Sequence, residues 1–263
     1  MARSVQEETF PSVPQAALLL LANFLLQYVT YLAILDLQGT LQLDKYQQSA
    51  LTRLLANGVF LASIVHYSND SYGKLVHPSK SSWIATAVLL GPAIVMLVPF
   101  LTIIALGLYA FLLRIWTISS WEENFFEMFR NASLATIIEV AVLAPIFEEM
   151  IFRGILLRAF LTRYPTWPAI AISALFFGFA HLNIYQFFLA FPMGLLLGWL
   201  YERSRSLIPS AILHASFNGA QIMFSQNSPE KSMEVQFTQI SSIVCGYFQF
   251  QALPLAHGFY FAY

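Results

Sequence analysis

Charge is scarce in this chain. Only 10% of its 263 residues are Asp, Glu, Lys or Arg, where a water-soluble domain usually carries about a quarter. So few charges cannot cover a water-facing surface, which excludes an ordinary soluble fold. Cysteine is nearly absent: Cys245 stands alone, which excludes an intrachain disulfide and a cysteine-built metal site. Positive charge is not in excess, the net formal charge being −1, so no nucleic-acid partner is expected. The HExxH zinc signature does not occur. The N-terminus, MARSVQEETFPSVPQ, sets two glutamates and one arginine before the first apolar run, and no A-x-A-like site follows. That is a poor signal-peptide pattern, so the first apolar segment is read as retained.

What the chain has instead is apolar length. Hydrophobic residues make up 58% and aromatics 16%, with a mean hydropathy of +0.64. Apolar runs broken by polar punctuation predict an all-α, polytopic transmembrane helix bundle of about seven spans, within bounds of six to eight. The predicted spans are 14–35, 49–67 (weakened by Arg53 near one end), 82–113, 133–161, 167–182, 184–201 and 207–224. The run 82–113 is long, and Pro92 and Pro99 lie within it. It is read as one kinked, tilted span, with two half-spans as the alternative. The segment 121–131 mixes acids with aromatics and is read as interfacial. The chain divides into residues 1–132 (N-terminal spans and interfacial segment), 133–226 (polar-bearing core) and 227–263 (a tail with no physical account). Membrane lipid is the expected surrounding, with a bacterial plasma membrane as default and a thylakoid or other organelle membrane as alternatives.

The second half carries charge where charge is costly. A charged side chain at the centre of a membrane helix costs about 2.5–3.5 kcal/mol even on lenient scales. Yet Glu148, Glu149 and Arg153 share the fourth span, His181 ends the fifth, and His214 and Asn218 lie in the seventh. At about 100° per residue, Arg153 lies about 40° from Glu149 and about 140° from Glu148. Arg153 is therefore expected to neutralise Glu149 and to leave Glu148 without an intrahelical partner. A plain i,i+4 salt bridge has the same spacing, but an apolar span with a second acid alongside is an unusual place for one. Phe177 sits one turn before His181. His214 and Asn218, four apart, share a helix face. Counted from one membrane side, Glu148 and His181 lie roughly 20 Å deep and His214 roughly 10 Å deep. Three helices thus bring these residues into one cluster. Glu139, nine residues before Glu148, falls on the opposite face of a regular helix and is expected to pair elsewhere.

A carboxylate and an imidazole can orient and deprotonate a water, and an imidazole with a carboxamide can donate to an oxyanion. That inventory suits peptide hydrolysis without a covalent intermediate. No serine stands beside a base, Ser216 pointing away from the His214–Asn218 face. The same side chains could instead hold zinc through Glu148, Glu149, His181 and His214, and residue types alone do not separate the two routes. A non-catalytic membrane scaffold or immunity protein is a further alternative. A proton-relaying transporter is a weaker one, because no repeated half with matching broken segments is found.

The ordered motifs Glu148-Glu149-x-x-x-Arg153, Phe177-x-x-x-His181 and His214-x-x-x-Asn218 resemble those of the CPBP family. This is the membrane-embedded CAAX-protease and bacteriocin-processing family, also called the abortive-infection family, which includes the Rce1-type prenyl-protein endopeptidases. The resemblance covers about residues 134–221. It implies a helical intramembrane fold, glutamate-type proteolysis without a metal cofactor, and a peptide or protein substrate. By analogy, Glu148 and His181 activate water, Glu149 and Arg153 support that pair, and His214 and Asn218 stabilise the oxyanion. The family also has members with no demonstrated protease activity.

Overall fold

The computed structural model describes residues 10–80, 82–117 and 127–227. These residues form the expected all-α polytopic membrane bundle, and no strand occurs among them. The principal helices are α1 (Val13–Asp36), α2 (Lys45–Tyr67), α3 (Trp83–Leu112), α4 (residues 134–160), α5 (Thr166–Phe179), α6 (Ile184–Ser204) and α7 (Leu207–Asn227). Short helices Gln38–Leu41 and Tyr72–Val76 sit in the first two connections. Most of segment 121–131 and the tail after Asn227 lie outside the described residues.

Side chains placed at helix starts fix several boundaries. Asp44 accepts from the amides of Tyr46 and Gln47 at the head of α2, and Ser133 accepts from Thr136 N–H at the head of α4. Asn183 accepts from Gln186 N–H at the head of α6. Each satisfies an amide that the helix itself leaves open. The run containing Pro92 and Pro99 is a single helix of 30 residues, as preferred from sequence.

The solvent of this bundle is lipid. Helices α1, α2, α3 and α6 are long and apolar enough to cross a membrane. Their outer faces are apolar, with Leu89 75% and Met96 81% exposed on α3. One boundary differs from expectation. Helix α5 has 14 residues and ends at Phe179, not at 182. At 1.5 Å per residue it is roughly 21 Å long, short of a hydrocarbon core of about 30 Å. The chain then turns through Leu182, whose φ of 51° is left-handed, an uncommon conformation for leucine. His181 therefore sits in the turn between α5 and α6, beyond the last turn of the helix.

Helix α4 is the centre of the bundle and is not a regular helix. Glu139–Leu143 and Met150–Leu157 are π-helical, and all eight residues of the second segment are buried. Phe152, Leu156, Leu157 and Phe160 of α4 join Leu61 and Ile64 of α2, Ile170 and Phe177 of α5 and Tyr201 of α6 in one core. Helices α5 and α6 approach closely through small residues: a Cβ on Gly194 would lie 3.0 Å from Ala174 Cα. Such small-residue contacts bring membrane helices together where no hydrophobic effect does so.

Candidate active site

The polar residues of α4, the α5–α6 turn and α7 converge on one cavity of about 540 Å³, whose lining includes Glu148, Phe177, His181, His214 and Asn218. Glu149 and Arg153 are packed directly behind it, 1% and 0% exposed. The structure thus brings together all of the residues singled out from the sequence, five on the cavity wall and two supporting it.

The buried pair has the predicted helix phase. Arg153 Nη1 donates to Glu149 Oε1 at 2.9 Å, and its Nη2 donates to the Gly194 carbonyl at 3.2 Å. The guanidinium lies over the Phe177 ring, 4.4 Å from its centroid. Glu149 Oε1 also pairs with His214 Nδ1 at 2.9 Å. Glu149 is therefore a junction between α4, α6 (through Arg153) and α7. Phe177 meets His181 and His214 edge-on, at centroid distances of 5.0 Å and 5.5 Å, so a single ring separates and orients both imidazoles.

Each imidazole is fixed through one nitrogen. His181 Nδ1 lies 2.8 Å from the Phe177 carbonyl. A carbonyl only accepts, so Nδ1 carries the proton, and the neutral ring has its lone pair on Nε2. His214 Nδ1 faces the Glu149 carboxylate in the same way. Its Nε2 stands 3.8 Å from Glu148 Oε2 and donates only when the ring is doubly protonated. Asn218 Nδ2 donates to the Val140 carbonyl at 2.9 Å. Val140 lies in the first π segment of α4, where the backbone ladder is shifted and side chains can meet backbone groups.

One expectation about the acids is extended and one needs correction. Glu148 does lack an intrahelical partner, but it is not alone: Arg53 Nη1 of α2 lies 3.7 Å from its Oε1. Glu139 pairs with another helix, as expected, but it does not face away from Glu148. Arg53 Nε lies 3.0 Å from Glu139 Oε1, so one guanidinium reaches both acids, and both line the cavity. The reason is the π segment between them. Glu139–Leu143 inserts about one extra residue per turn, rotating the later face by about 100° from a regular helix. The sequence-based phase of 180° becomes about 80°.

Arg53, Ser49 and Glu139 also line this cavity, and sequence reasoning did not assign them to the cluster. The available signal was an arginine inside an apolar segment, a residue that needs a partner in lipid. Asn23 and Asn57, hydrogen-bonded at 2.9 Å, add a neutral polar pair from α1 and α2 to the same cavity. Among the described residues, no group of three or more His, Cys, Asp or Glu side chains is arranged to hold a metal ion. The four-residue set Glu148, Glu149, His181 and His214 is thus near one cavity without forming a ligand shell in this conformation.

Comparison with known proteins agrees with the motifs. Residues 130–220 match the family described as type II CAAX prenyl endopeptidase Rce1-like. The chain is 29% identical over 112 residues to the "Putative membrane peptidase YdiL" of Bacillus subtilis, covering 43% of this chain and 46% of that protein. It is 33% identical over 88 residues to UPF0177 protein YaiF of Lactococcus lactis, covering 33% and 39%. It is 30% identical over 103 residues to UPF0177 protein YbdI of the same organism, covering 39% and 55%. The chain thus spans about half, or less, of the length of the curated relatives it matches. All the motif residues from Glu148 to Asn218 fall within the family match, and Arg53 falls outside it.

Proposed function

We propose, from the premise that residues 130–220 are Rce1-like, that this integral membrane protein is an intramembrane glutamic-type endopeptidase. The observation that carries the proposal is the joint exposure of Glu148 and His181 to one cavity, with His181 tautomerically fixed by the Phe177 carbonyl.

A water in that cavity has an acceptor in the Glu148 carboxylate and another in His181 Nε2. Glu148 takes the water's proton as its oxygen attacks the peptide carbonyl carbon, giving a tetrahedral oxyanion. The second N–H of Asn218 Nδ2 and the Nε2–H of doubly protonated His214 are the donors available to that oxyanion. The proton held by Glu148 then passes to the leaving nitrogen, and the C–N bond breaks. Arg153, Glu149 and Phe177 hold both rings in place through the contacts described above. The step needs no metal ion. The substrate is a peptide segment that enters the cavity from the membrane or its surface, and a prenylated C-terminal peptide is the first to try.

Substrate trapping tests this reading. The tagged Glu148→Gln protein should retain, after gentle solubilisation, a membrane-associated polypeptide that the wild type releases as two fragments. Equal recovery of intact polypeptide with both proteins would contradict it. A scaffold needs no difference between the two.

A further inference from the structure

Helix α2 supplies a charge to the site from outside the family match. Arg53 Nε lies 3.0 Å from Glu139 Oε1, and that same oxygen accepts from Ser49 Oγ at 2.9 Å. One edge of the guanidinium is thereby anchored. Its other edge presents Nη1 at 3.7 Å from Glu148 Oε1, while His214 Nε2 stands 3.8 Å from Glu148 Oε2. Both distances are longer than a hydrogen bond. Glu148 is therefore flanked by a fixed cation and an imidazole, and neither occupies its lone pairs.

That arrangement depends on the anchor. A guanidinium free of Glu139 would close on Glu148 in the bidentate geometry that arginine and carboxylate favour. The lone pairs that a water needs would then be taken. A lysine is a single point charge and cannot reach both acids through separate edges. Glu139 is also nearly fully buried, its side chain 5% exposed, so Arg53 has a structural role that must be told apart from any role at Glu148.

We infer that Arg53 is a positioning residue for Glu148, held by Glu139, whose carboxylate Ser49 braces, at a distance that keeps its charge close and the carboxylate of Glu148 open to water. The inference rests on the reading that Glu148 activates water, and it makes the N-terminal half a part of the site.

The test uses the full chain, purified in detergent. The probe is a quenched fluorogenic peptide, prepared with and without a C-terminal prenyl group. Wild type, Glu148→Gln, Glu139→Gln and the double variant Arg53→Met with Glu139→Gln are compared. The double variant removes both charges of the Arg53–Glu139 pair together and so leaves no unpaired acid at the buried Glu139 position. Positioning predicts a loss of kcat of at least about tenfold in Glu139→Gln and in the double variant, with KM within about twofold. A double variant with kcat within about twofold of wild type, or with only KM altered, overturns the inference while Glu148→Gln inactivity leaves the protease reading standing. A wild type no more active than Glu148→Gln on either peptide overturns both. If the double variant does not elute as the folded protein, Arg53→Lys decides the matter by the same kcat criterion, because it keeps a positive charge beside Glu139.

Discussion

Arg153→Ala is the perturbation whose cost follows most directly from the geometry. The wild-type side chain is fully buried. It donates to Glu149 at 2.9 Å and to the Gly194 carbonyl at 3.2 Å, and it covers the face of Phe177. Alanine removes all three contacts and leaves Glu149, 1% exposed, without its guanidinium while the contact with His214 stays. Removing one member of a buried pair costs about 3–5 kcal/mol. An exposed pair would cost about 0–1 kcal/mol, and the complete burial of both partners decides between the two figures. Replacing both members with neutral side chains, Arg153→Met with Glu149→Gln, avoids the unpaired charge and should cost about 2 kcal/mol or less. The glutamine oxygen can still accept from His214 Nδ1. Unfolding of the purified protein in mixed micelles, followed by tryptophan fluorescence, measures both. The reasoning is refuted if Arg153→Ala lies within about 1 kcal/mol of wild type, or if the double variant is as destabilised as the single one.

Three further outcomes are expected. Gly194→Ala should cost about 1–3 kcal/mol in the same unfolding assay, because the new Cβ would meet Ala174 at 3.0 Å and Phe177 Cδ1 at 3.2 Å; a neutral result would mean that the α5–α6 contact is loose. Asn218→Ala leaves the Val140 carbonyl without its side-chain donor and should cost about 1–3 kcal/mol, together with a fall in kcat at nearly constant KM, both readable on the same purified variant. A zinc chelator should leave peptide cleavage unchanged, and a loss of activity that added zinc restores would favour the four-ligand alternative over the glutamate mechanism.

Much of the fold was legible because lipid simplifies the reading. Apolar length alone marked the seven helical segments, and Pro92 and Pro99 did not break α3. The α5 boundary was not legible, because the apolar run continues past Phe179 while the backbone turns at Leu182. In the site, a four-residue spacing correctly paired Glu149 with Arg153, since that interval is barely longer than one turn and tolerates small changes of pitch. The nine-residue interval from Glu139 to Glu148 failed because it crosses a π segment, and periodicity carries no sign of one. Arg53 failed for a different reason. Its partners are 86 residues away and farther, and an isolated arginine names no partner until the helices are packed. The distance from His214 to Glu149 was likewise a tertiary fact, and it changes the part His214 plays. With Nδ1 committed to Glu149, the oxyanion role proposed for His214 falls to Nε2.

The central claim is that Glu148 and His181 together activate a water for peptide hydrolysis. Cleavage of the quenched prenylated peptide by purified wild type, Glu148→Gln and His181→Ala, with each variant checked for folded elution, tests it most directly. The account predicts cleavage by wild type and a loss of at least about a hundredfold in kcat for either variant. Folded Glu148→Gln or His181→Ala protein that cleaves at the wild-type rate would contradict it.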